Sequence, residues 1–348
     1  MTNGYRYLTR SLPLAVGGFL AATGPALPHV KWFCAFDVAG QPRGLEQVLC
    51  DDFEILVTIA LLALLGGSVV EASRWGQATV SALDRATAFA RANTEIIIRA
   101  VCGFFLVSLW NVGGVLLTPE LKTDSAVVPW FQLAMAACLV WRRTLPLVGL
   151  GIAVLFVTSV ASYGPFHLAD YPIFLGVGAY LALTGVGRDY FGIRPLDLLR
   201  YLTAITLMWA SVEKWAYPQW SFPLFEAKPG MTFGFDPEYF MRAAGVVEFA
   251  LAFALLCTPL VRRISSVLLL ATFVSAIVEF GKIDAIGHAL IIAALIGFIA
   301  DDARRPVGVR NLVAVPAGFA ACIWIFIGMY YVAHETAFGS FYRTVPVI

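Results

Sequence analysis

Charge is scarce in this chain. Only 14% of its 348 residues are Asp, Glu, Lys or Arg, against about 25% in an ordinary soluble domain. The formal net charge is +1 and no basic stripe is present, which argues against a nucleic-acid partner. Histidine is scarcer still, with four in the chain, His29, His167, His288 and His334. No HxxxH, CxxC or CxxCH occurs, so no haem is expected and no metal site is assigned. No polar stretch approaches the length of a domain, so no soluble domain is left over.

What is present is apolar. Hydrophobic residues make up 59% of the chain and the mean hydropathy is +0.79. Runs near the length needed to cross a bilayer recur from end to end. They predict an all-α polytopic transmembrane helix bundle of about eleven spans: Leu12–Pro28, Phe53–Ala72, Glu95–Leu117, Val127–Trp141, Leu145–Tyr163, Tyr171–Gly187, Leu196–Pro218, Glu238–Cys257, Ile264–Gly281, Ala285–Ala300 and Leu312–Ala333. The first follows Arg6 and Arg10 and lacks a small-x-small cleavage site, so it reads as a retained helix and not a signal peptide.

Alternate loops are rich in arginine. One set holds Arg74, Arg85 and Arg91, then Arg142 and Arg143, Arg188 and Arg194, Arg262 and Arg263, and finally Arg304, Arg305 and Arg310. The positive-inside rule puts these in the cytoplasm, the N-terminus with them and the C-terminus outside. A bacterial inner (plasma) membrane with a periplasmic C-terminus fits this pattern. Between Ser73 and Thr94, Trp75, Val80, Leu83 and Phe89 would line one face of an amphipathic surface helix, or the segment is a solvated linker.

The third to sixth spans resemble the seventh to tenth. Arg99 opens one set and Arg200 the other, and each second helix ends near a double arginine. "VTSVASYGPFHLADYPIFL" answers "FVSAIVEFGKIDAIGHALI". Each set has four helices, so this is a parallel duplication. The chain then divides into 1–94 (two helices, an outer loop and the surface segment), 95–190 (first four-helix unit), 191–302 (second unit) and 303–348 (a last helix and outer tail). The copies differ in polarity: Gln132 falls near the place of Glu248, and Ser162 near that of Glu279. The second copy reads as the working unit and the first as structural, so Gln132→Ala is expected to do little.

"LLRYLTAITLMWASVEKW" followed by "RAAGVVEFALAFALLCTPLVRRISSVLLLATFVSAIVEFG" resembles the DoxX-like family of four-helix membrane proteins. The resemblance covers Leu196 to Ala300 and, more weakly, the first copy. It rests on an opening Arg, the end of the first helix, and a Glu in the second. The duplication, the two helices before it and the one after it depart from that pattern. The resemblance implies a membrane redox subunit, such as accompanies quinone-linked oxidoreductases, with room for a redox protein partner at the outer face.

The ionisable residues within the second copy carry the chemistry. Glu248 lies near mid-membrane, Glu213 and Lys214 in the last turns of the seventh span, and Glu279 and His288 on either side of "GKIDAIG". Charged groups at that depth are functional by default, and a carboxyl there holds or passes a proton. With Trp209, Trp215 and Lys282 they suggest a pocket for a quinone headgroup, with Glu248, His288, Glu279 and Glu213 relaying protons. Bland readings stand beside this. Asp284 reads first as a helix cap, Lys282 as a snorkelling side chain, and Trp215, Tyr217 and Trp220 as an interfacial belt. Glu248 and His288 also fit a structural pair, and His288 with Glu248 and Glu279, or with Asp284 at i, i+4, a divalent-metal site. A proton-coupled carrier of a small solute and a membrane anchor or assembly factor remain as alternative functions. Cys34 and Cys50 flank the first outer loop and allow a disulfide.

Overall fold

A computed structural model describes residues 41–187, 192–303 and 314–338. The predicted first span, and Cys34 of the proposed disulfide, lie outside the described residues. The chain is a bundle of helices: α1 (Asp51–Ala72), α2 (Arg74–Ala86), α3 (Thr94–Val112), α4 (Val127–Cys138), α5 (Leu145–Tyr163), α6 (Pro172–Val186), α7 (Pro195–Ala216), α8 (Pro237–Ala254), α9 (Pro259–Phe280), α10 (Lys282–Ala300) and α11 (Ala314–Ala333). Six of them are long and apolar enough to cross a membrane: α1, α3, α5, α9, α10 and α11. α4 and α6 are apolar but shorter. α7 and α8 carry four and three charged residues respectively, which keeps them out of that group although their lengths suffice.

The helices pair reciprocally. α3 packs on α4 and α7 on α8, while α5 packs on α6 and α9 on α10. α6 then packs on α7, and α10 returns to α3. Close approach depends on small residues, as expected where lipid removes the hydrophobic drive between helices. A Cβ on Gly149 of α5 would sit 2.4 Å from the Gly178 carbonyl oxygen of α6, and one on Gly245 of α8 only 2.3 Å from Trp215 Nε1 of α7. Gly281, at φ +81°, makes the tight corner between α9 and α10 that a side chain would strain.

One end of the bundle is tied by buried arginines. Asp301, at the end of α10, receives Arg194 Nη1 at 3.0 Å and Arg200 Nη2 at 2.6 Å on its carboxylate. Arg262 and Arg263 donate to its main-chain oxygen at 3.0 and 2.9 Å, which serves an orphan carbonyl of a helix end. Arg263 also reaches Asp84 at 2.6 Å. This corrects the placing of Arg262 and Arg263 in a loop. α9 starts at Pro259, five residues before the expected Ile264, because proline suits the first helical turn. Its free N–H groups are capped from another helix: Glu71 of α1 accepts from Leu260 N at 3.0 Å, Val261 N at 3.3 Å and the Thr258 hydroxyl. The surface segment is helical over Arg74–Ala86 and not a solvated linker; Val80 is buried beneath Arg263, while Trp75 and Phe89 point away from the bundle, 84% and 74% exposed.

Candidate functional site

At the end opposite the arginines, a cavity of about 130 Å³ opens between the two sets of helices. α7 supplies Thr206, Ala210, Glu213 and Lys214, which recur on one side of the helix at spacings of three to four residues. α8 supplies Glu248, α9 Phe273, and α10 Gly287 and His288. The other wall comes from the first set: Glu120 on the loop after α3, Asp170 and Tyr171 before α6, and Phe174 within it. Thr206 Oγ1 accepts from Ile173 N at 2.9 Å and pins the start of α6 to α7.

The ionisable groups are paired. Lys214 Nζ lies 2.7 Å from Glu248 Oε2, joining α7 to α8. His288 Nδ1 lies 3.0 Å from Asp284 Oδ2 one turn earlier on α10, and Asp284 is 0% exposed. A buried carboxylate beside Nδ1 fixes the imidazole's orientation. The Phe273 ring sits 4.7 Å from that of His288. On the facing wall, Tyr171 Oη donates to Glu120 Oε2, and His167 Nε2 lies 3.0 Å from Glu120 Oε1. That second contact has the distance of an ion pair without the alignment of a hydrogen bond. Lys214 also walls a smaller pocket toward the surface, with Arg43, Glu238 and Arg242.

Four of the sequence-predicted residues meet at the cavity: Glu213, Lys214, Glu248 and His288. Four others do not line it. Glu279 turns away and pairs with Lys228, on a segment that folds over this end of the bundle. Lys282 begins α10, outside the cavity. Trp209 is buried against Tyr330, with ring centroids 5.0 Å apart, and against Phe166. Trp215 stands edge-on to Phe53 at 5.0 Å and donates to the Arg242 carbonyl at 3.2 Å. Asp284 is corrected from helix cap to histidine partner: α10 begins at Lys282, Gly281 holds the cap position, and Asp284 falls inside the first turn.

Gln132 also departs from expectation. It is fully buried, and its Nε2 donates to the Val115 and Leu116 carbonyls at 2.7 and 2.8 Å, holding the loop that carries Glu120. Sequence reasoning missed Glu120 and Tyr171 because both lie in connections, where no helical period marks the inward side. Among the described residues, no group of three or more His, Cys, Asp or Glu is placed to hold a metal ion, and Glu279 stands apart from Glu248 and His288. No family model, curated protein or solved structure matches the chain.

Proposed function

We propose that this is an integral membrane protein, built from two DoxX-like four-helix units, whose cavity takes a quinone headgroup and exchanges protons with it. Reciprocal packing of α6 on α7 and α10 on α3 supports the duplication, since it is what two similar units related by a pseudo-two-fold would produce. The observation that carries the function is the His288–Asp284 pair, facing a largely apolar space also reached by the Lys214–Glu248 pair. These residues fit the group: Phe174 and Phe273 offer ring surfaces, and His288 and Lys214 offer donors to carbonyl oxygens. A bound quinone, when it is reduced, would take two electrons from a redox protein partner at the outer face and two protons. His288 would donate through Nε2, with Asp284 stabilising the ring's charge. Glu248 would compensate Lys214, whose ammonium orients the opposite carbonyl, and would relay the second proton.

Decylubiquinone added to the purified full-length protein should quench tryptophan fluorescence saturably. His288→Ala should weaken that binding about tenfold, the worth of one hydrogen bond of roughly 1.4 kcal/mol. The absence of saturable quenching in the wild type would sink this reading. Carboxylates outnumber cations around the cavity, with Glu120, Asp170, Glu213 and Glu248 against Lys214. That excess favours a second reading, a proton-coupled carrier of a small cationic solute, which saturable uptake of such a solute into proteoliposomes would support.

The arrangement of arginines supports an N-terminus in the cytoplasm and the cavity toward the outer face. Reporter fusions after Arg143 and Arg194 should report cytoplasm, and a fusion after Asp124 the opposite side. Reversed signals at two of the three would discard this topology.

A further inference from the structure

We propose that Glu120 and His167, both from the first helix set, form the proton connection between the cavity and water at the end of the bundle opposite the arginines. The inference rests on reading the cavity as a proton-handling site, and it gives the first unit a share in the chemistry.

Glu120 belongs to two environments. It lines the cavity, and it also touches His167 on the connection between α5 and α6. The two side chains are 15% and 18% exposed, the intermediate burial expected of groups between interior and surface. Tyr171 Oη, on the cavity wall, donates to Glu120 Oε2 and leaves Oε1 facing His167 Nε2 at 3.0 Å. Beside the imidazole lie Glu120, Tyr171, with ring centroids 6.2 Å apart, and Tyr163, whose ring stacks on it at 5.7 Å. Tyr163 Oη donates to the Lys122 carbonyl at 2.8 Å, which ties the stack to the surface loop.

Two other exits are less suited. Lys214 is held as the counter-charge of Glu248, and an ammonium has no acceptor for a further proton. Glu279 lies outside the cavity, on Lys228. A carboxyl followed by an imidazole needs no such neutralisation. Once the imidazole turns Nε2 into line with Oε1, protonated Glu120 passes its proton to it, giving a carboxylate and an imidazolium. The imidazolium then releases the Nδ1 proton to water. Rotation of the ring, which carries the buried Nε2–H out to water for exchange, restores the starting tautomer, and no charge is left over.

The test uses the full-length protein in nanodiscs, followed by infrared spectroscopy after a jump of bulk pH from 8 to 5.5. A protonated-carboxyl band should appear in the wild type and be missing in Glu120→Gln, which keeps an acceptor for Tyr171. In His167→Ala and His167→Gln the band should appear at least tenfold more slowly. Imidazole in the buffer should restore the rate of His167→Ala, a rescue that loss of packing alone would not give. A wild-type rate in both His167 variants, or a band that survives Glu120→Gln, overturns the relay. Decylubiquinone binding is measured on the same samples. If binding is absent while the band still depends on His167, the quinone reading falls and the relay stands. If binding persists but the rate does not depend on His167, the relay falls alone.

Discussion

Asp301→Ala should destabilise the protein by about 3–5 kcal/mol, the cost of removing one partner from a buried ionic cluster. Its carboxylate takes hydrogen bonds from Arg194 and Arg200 and lies 3.5 Å from Arg262. Arg200, Arg262 and Arg263 are all essentially buried, so water cannot replace the lost charge cheaply. Asp197 and Asp84 would be left to balance four guanidinium groups. Asp301→Asn keeps an acceptor oxygen but not the charge, and should fall between alanine and the wild type. The measurement is the midpoint of thermal unfolding in mild detergent. An alanine variant as stable as the wild type would show that the carboxylate does not hold this end together.

The same cluster sets an acid limit. Burial alone would raise the Asp301 pKa, but the hydrogen bonds from Arg194 and the charges of Arg262 and Arg200 outweigh it and hold the group down at about 2, from an ordinary 3.8. A depressed carboxylate contributes stability in full above its unfolded value. That contribution is lost as the pH falls through the window from 3.8 to about 2. Asp301→Asn should lack this step of acid destabilisation.

The helices were largely legible because apolar runs broken by Pro and Gly mark their own ends. α5 and α6 begin and end within a residue of expectation. The start of α9 departs from expectation because charge alone puts its double arginine in a loop. Nothing local shows that Asp301 and Asp84, far along the chain, would pair with it. The site was half legible for the same reason. Ionisable residues inside apolar helices announce themselves, as Glu248, Glu213, Lys214 and His288 did. Glu279 announced itself too, but it follows the cavity residue Phe273 by six positions, about 240° round the helix axis. The phase of α9, fixed by packing against α10, turns it outward. Glu120 was invisible because a loop residue is drawn inward only by its partners, here Tyr171 and the loop held by Gln132.

The position of Gln132 also decides how Glu248 should be tested. Gln132→Ala would leave two buried carbonyls without their donor, at about 1–3 kcal/mol, so it is not a silent control. Glu279→Gln serves better, since its partner Lys228 lies outside the cavity. Glu248→Gln keeps the shape and a hydrogen-bond acceptor for Lys214 but cannot ionise. If Glu248 is the group whose protonation is linked to binding, wild-type affinity for decylubiquinone should change by about tenfold per pH unit where one proton is linked. Glu248→Gln should flatten that dependence while Glu279→Gln retains it. Any quinone-dependent turnover should fall by about 10²–10⁴, the usual worth of a positioned acid or base. Lys214→Met combined with Glu248→Gln removes the ammonium left without its counter-charge. The double variant should regain stability lost by the single one, with the pH dependence still flat. A Glu248→Gln protein that keeps both its pH dependence and its turnover would reduce the Lys214–Glu248 pair to a clamp between α7 and α8.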